Sequence, residues 1–126
     1  MKISILIGIL LCSTILACEK ENDKRFIFFL HNRFIEEHEL DDLHPEFGRT
    51  EYLEIIDEFE KSGFKVISEK RNGNVNARDY AVGVVAQIDS LIKNGTQPRK
   101  ITIVGTSKGG YIAQYVSTLA DNPNLN

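Results

Sequence analysis

The stretch KITIVGTSKGGY, residues Lys100 to Tyr111, decides how the rest of the chain is read. Ile101, Ile103 and Val104 form a short apolar strand, and beyond the bend Ile112, Tyr115, Val116 and Leu119 recur at helical spacing. Between the two stands the pattern Gly105-x-Ser107-x-Gly109. A bend this tight leaves no room for side chains next to the serine and favours backbone angles that glycine reaches most easily. Strand, turn and helix together give the setting of a nucleophile elbow, with the serine hydroxyl raised above the sheet. The first N–H groups of the helix lie beside it, and with the helix dipole they stabilise negative charge developing on a carbonyl oxygen. The competing reading is an ordinary glycine-rich turn that binds a phosphate or nothing. The chain lacks the Lys-Ser/Thr pair after the last glycine that a P-loop requires.

Outward from this bend, the chain alternates. The run RFIFFL, Arg25 to Leu30, is apolar without a polar face and predicts a strand covered on both sides. A polar loop carrying His38, His44 and Pro45 follows. Thr50, or Arg49 before it, is expected to open a helix with Tyr52, Ile55, Ile56 and Phe59 on one stripe and Gly63 as its left-handed cap. Phe64 to Lys70 reads as a second strand, nearer an edge than the first. Asn76 caps the clearest helix, with Asp79 at its positive end, Ala77, Tyr80, Ala81, Val84, Val85, Ile88, Leu91 and Ile92 on one stripe, and Gly95 closing it. The resulting order β-α-β-α-β-α calls for parallel strands joined by right-handed crossovers. The fold class is therefore α/β, a three-layer sandwich around a parallel sheet. In such sheets ligands bind beyond the carboxyl ends of the strands, and both His31 and Ser107 stand at such ends.

The first residues read differently. Lys2 precedes an apolar run from Ile3 to Ala17, shorter than the roughly 18 to 20 residues that span a bilayer, as in a cleaved export signal. The tetrapeptide ILAC, Ile15 to Cys18, resembles the lipobox of bacterial lipoproteins, in which the cysteine is acylated and becomes the new N terminus. The expected organisation is a signal peptide over 1–17, a lipidated tether over 18–24 attached through Cys18, and a domain over 25–126 in the bacterial cell envelope. With Cys12 leaving in the signal and Cys18 carrying lipid, neither cysteine of the chain remains for a disulfide or a metal. A formal net charge of −3, with both signs interspersed, argues against a nucleic-acid partner.

Residues 25 to 121 resemble the α/β-hydrolase superfamily, from its third strand through its nucleophile elbow and the helix behind it. The resemblance implies a partial α/β-hydrolase fold in which the third and fifth strands are neighbours. It also implies that Ser107 is the nucleophile of an ester or amide hydrolase acting on a small molecule through an acyl-enzyme. The backbone N–H of Lys108 would be one oxyanion donor, and the N–H of Asn32 or Arg33 the other, in a loop shaped by His31. Asn32 stands where the family usually has glycine. No cofactor and no metal are implied.

The family's acid and histidine follow the nucleophile, whereas the last histidine here is His44. A serine is a weak nucleophile until a base takes its proton. Three readings stay open: the N-terminal portion of a longer hydrolase, with little or no activity in the chain as given; His31 as a substitute base, set against a loop histidine bonded to backbone; and a non-catalytic envelope lipoprotein with a binding or scaffold role. His38 and His44, among Glu36, Glu37, Glu39, Asp41 and Asp42, read as a solvated loop rather than a metal site. Lys108 reads as an exposed, protonated lysine, and Tyr80, Tyr111 and Tyr115 as packing residues. A sheet of three strands would leave the elbow strand exposed at an edge, where dimers form.

Overall fold

The computed structural model describes residues 23–126, so the expected export signal, Cys18 and most of the expected tether lie outside the described residues. In chain order the elements are β1 (Arg25–Leu30), α1 (Phe34–Glu37), β2 (Leu43–His44), β3 (Gly48–Arg49), α2 (Tyr52–Lys61), β4 (Phe64–Ile67), α3 (Ala77–Lys93), β5 (Ile101–Gly105) and α4 (Lys108–Ala120). The sheet runs β4-β1-β5, and both pairings are parallel. The apolar run of β1 is thus the central strand, buried from Phe26 to Leu30.

Alternation along β1 sorts its side chains into two cores. Phe26, Phe28 and Leu30 pack with Ala81, Val84 and Ile88 of α3 and with Ile112 and Val116 of α4. Phe29 faces the other way, against Ile35, Tyr52 and the partly buried Ile55, Ile56 and Phe59 of α2. Each buried Phe, Leu, Ile or Val among them contributes about 1.5–3 kcal/mol. The layers are therefore α2, the sheet, and the pair α3–α4.

The order of travel explains where a site must open. From β1 the chain moves to β4 on one side, then crosses back to β5 on the other. Two crossovers of the same hand running in opposite directions lay their helices on opposite faces, as the two cores show. Neighbouring strands β1 and β5 consequently send their following segments to opposite faces. The crevice between them lies at the carboxyl rim, where open α/β sheets bind ligands. The sheet position expected for β4, at an edge, is observed.

Several boundaries differ from expectation. Helix α2 begins at Tyr52 rather than at Thr50 or Arg49, because Arg49 belongs to the antiparallel hairpin β2–β3 and Glu51 precedes the helix in a left-handed conformation, φ 50. The polar loop after β1 thus contains α1 and that hairpin. Strand β4 stops at Ile67 rather than Lys70, where Ser68 turns its hydroxyl to the Phe29 carbonyl at 2.6 Å and to Tyr52 Oη at 2.8 Å. The outer edge of β5 is not left bare along its length. The Asn126 N–H donates to the Ile101 carbonyl at 3.0 Å, and the Asn126 carbonyl accepts from the Ile103 N–H at 2.8 Å. Among the described residues no helix is long and apolar enough to cross a membrane.

Candidate active site

Ser107 occupies φ 51, ψ −118, a conformation that costs a residue with a Cβ about 1–3 kcal/mol and persists only where the surroundings enforce it. Three backbone hydrogen bonds do so: Thr106 N–H to the Leu30 carbonyl at 3.1 Å, Gly109 N–H to the Thr106 carbonyl at 2.9 Å and Tyr111 N–H to the Ser107 carbonyl at 3.1 Å. The flanking glycines are steric necessities. A Cβ on Gly105 would overlap the backbone of Gly109, and one on Gly109 would overlap the carbonyls of Leu30 and His31. The elbow is therefore bolted to the end of β1. Lys108 opens α4, so its N–H belongs to the group that a helix leaves without an internal partner.

The second expected donor loop sits alongside. Asn32 Oδ1 accepts from the Ile35 N–H at 3.2 Å, and the Arg33 carbonyl accepts from the Glu36 N–H at 3.0 Å, folding the segment into α1. His31 is fully buried. Its Nε2 accepts the Arg71 backbone N–H at 2.8 Å, which leaves Nδ1 to carry the proton and donate to the Asn32 carbonyl at 2.7 Å. Burial holds the imidazole pKa below its usual value, and the nearby Arg71 guanidinium adds to this against the opposing Asn32 bond. A neutral ring with its lone pair already engaged shapes the loop. It is not free to take a proton from Ser107, which closes the substitute-base reading.

Asn32, Arg33, Phe34, His38, Phe47 and Ser107 line one cleft of about 510 Å³, together with His44. The two histidines read as solvated loop residues are thus brought to the same cleft as Ser107. His38 stacks on Phe34 at 3.9 Å between ring centres, and His44 meets Phe47 at 4.7 Å. Their ring nitrogens are set oppositely. His38 Nδ1 bonds the Phe34 carbonyl at 3.0 Å, which can only accept, so Nε2 is left as an acceptor. His44 Nδ1 lies 3.1 Å from the Glu46 N–H and 3.2 Å from the Phe47 N–H, which can only donate, so in the neutral ring Nε2 carries the proton. On the other side of Ser107 a more polar groove of about 650 Å³ is lined by Arg33, Asn74, Asn76, Lys108 and Tyr111.

The sequence reading missed Glu36 and Arg71. Both side chains are fully buried, with Arg71 Nε 2.8 Å from Glu36 Oε1. Lys108 is not the exposed lysine expected: its side chain is 14 % exposed and its Nζ lies 2.6 Å from Glu36 Oε2. Burial pushes the Glu36 carboxyl up, but hydrogen bonds from Arg71 and Lys108 outweigh it, and the pKa falls below the usual carboxylate value. The available signal was positional, since Glu36 and Arg71 follow the carboxyl ends of β1 and β4. Tyr111, read as packing, is 53 % exposed and shares a hydrogen bond of 3.0 Å with Tyr115. Comparison with protein-family models, curated proteins and solved structures finds no match for the chain.

Proposed function

We propose that this chain is an exported serine hydrolase of the α/β-hydrolase kind, with Ser107 as its nucleophile, acting on a small ester or amide. The observation that carries the reading is the backbone of Ser107, φ 51 and ψ −118, maintained between glycines that admit no side chain. Strain of this kind at a turn without chemistry brings no benefit, whereas at an elbow it presents a hydroxyl to substrate. The direct pairing of β1 with β5 supports the same reading, because it brings the Asn32–Arg33 loop to the same cleft as Ser107.

In this mechanism Ser107 Oγ attacks the substrate carbonyl and its proton passes to a base, of which His38 is the cleft imidazole with an acceptor nitrogen. Negative charge on the tetrahedral oxygen is received by the N–H of Lys108 and by that of Asn32 or Arg33. The bond to the leaving group then breaks, the leaving group takes a proton, and water hydrolyses the acyl-enzyme. An apolar substituent fits the side of Phe34 and Phe47, and a polar one the side of Asn74, Asn76 and Tyr111. His38 has no hydrogen-bonded carboxylate behind it among the described residues, so repeated turnover is expected to be slow, while a single stoichiometric attack by Ser107 remains measurable. Export and lipid attachment through Cys18 belong to the same proposal and would put the site in the cell envelope.

A fluorophosphonate probe tests the reading. Covalent labelling of the folded protein that disappears in Ser107→Ala supports it. A folded protein that stays unlabelled favours a binding or scaffold role.

A further inference from the structure

Three segments of the carboxyl rim converge on one carboxylate. Glu36, on α1, uses Oε1 to accept from Arg71 Nε at 2.8 Å and Oε2 to accept from Lys108 Nζ at 2.6 Å. Arg71 reaches back through its guanidinium to the His31 carbonyl and through its backbone N–H to His31 Nε2. Lys108 also donates to Asn74 Oδ1 at 3.0 Å. Residues 31–36, 71–74 and 107–108 are thereby tied together at the point where β1, β4 and β5 end.

Stability is a poor explanation for this arrangement. Buried ion networks are often no better than well-packed apolar residues of the same volume, because each charge must leave water. Arg71 even keeps one buried guanidinium nitrogen, Nη1, without a hydrogen-bond partner. What the network does provide is a fixed distance between two backbones. Lys108 contributes an N–H to the elbow, and its own side chain anchors the helix that directly follows Asn32 and Arg33. With one carboxylate and two cations, and His31 neutral, the cluster also leaves a net positive charge beside the cleft.

We propose that Glu36, Arg71 and the side chain of Lys108 are positioning residues for the oxyanion hole, setting the spacing between the Lys108 N–H and the donor on the Asn32–Arg33 loop. This rests on the hydrolase reading above. Displacing a donor by about 1 Å is enough to cost on the order of 100-fold in rate, so the network need move only slightly to be felt.

The test is the second-order rate of fluorophosphonate labelling in three variants, with thermal midpoints measured alongside. Lys108→Met keeps the apolar stem and the backbone N–H, and leaves Glu36 paired with Arg71. Labelling is expected to fall about 10- to 100-fold while the protein stays folded, and Lys108→Arg, which can still bond the carboxylate, recovers most of the rate. Asn74→Ala removes the second partner of Lys108 from an exposed position and covers the case in which Lys108→Met does not fold; it is expected to lower labelling severalfold. Wild-type rates in folded Lys108→Met or in Asn74→Ala overturn the positioning role and leave the hydrolase reading standing. If Lys108→Arg labels as slowly as Lys108→Met, that role is likewise overturned. A wild-type protein that is folded and unlabelled removes both.

Discussion

On one side of the Ser107 cleft the chain is held by backbone contact and by buried charge: Gly109 lies against the Leu30 carbonyl, and Glu36, Arg71 and His31 are closed off from water. On the other side a hairpin of two-residue strands is held by the Phe34–His44 ring contact and an exposed Arg49–Glu54 ion pair, with Phe47 76 % and Leu43 70 % exposed. The first stands behind Asn32, Arg33, Thr106 and Ser107, which line the cleft, and the second lines it directly through His44, Phe47, Gly48 and Arg49. On the proposed hydrolase function the first would fix where a reacting carbonyl sits, and geometry of that kind depends on contacts with no slack. The second offers apolar surface that can change shape or identity at small energetic cost, as suits a wall that selects a substituent rather than holding a charge.

The sharpest way to break this contrast is at the close approach. Gly109→Ala puts a methyl group into the Leu30 and His31 carbonyls, where backbone rather than a mobile side chain must give way. A loss of more than about 4 kcal/mol is expected, read as a collapse of the urea midpoint; a variant of near wild-type stability would show that the wall is softer than described. Acid titration probes the buried charges next. The Glu36 pKa is lowered in the fold, so its contribution is complete above its unfolded value and is lost as pH falls through the lower folded one. The His31 pKa is also lowered, so its neutral ring begins to cost stability as pH falls below about 6.5. Thermal midpoints between about pH 7.5 and 3 should therefore decline from the histidine range and fall further in the carboxylate range. A flat profile would contradict both assignments.

The smallest effect on stability is expected at the hairpin. Phe47→Ala should change stability by less than about 0.5 kcal/mol, as surface substitutions do. It should slow labelling by a long-chain alkyl fluorophosphonate severalfold while sparing a short-chain one. Equal slowing of both would mean that Phe47 supports the elbow instead of the ligand.

The parts legible in the sequence are those whose cause is local. The elbow shows because two glycines and a serine must stand at fixed offsets, and α3 shows because Asn76 accepts the Asp79 N–H at 3.0 Å within its own turn. Gly63 and Gly95 end their helices at φ 85 and φ 100, as their positions predict. Glu36 and Arg71 were not legible, because they are 35 residues apart in sequence and their pairing exists only once β1 and β4 lie side by side. The hairpin was missed for another reason. Its strands of two residues are too short to show alternation, and Glu51 adopts a left-handed angle that no neighbouring residue announces. Lys108 misled because a lysine at a helix start is normally solvated, and only the tertiary fold brings Glu36 beneath it.

The close approach of α4 to β1 also separates two kinds of selection. In a library randomised at positions 105 and 109 and sorted only for folded protein, glycine would be recovered at both before any demand for turnover is made. Enrichment at those codons therefore reports backbone contact alone. Retention at codon 107 would report something else, because glycine would adopt the same angles with less strain, so serine would be recovered there only under a demand for its hydroxyl.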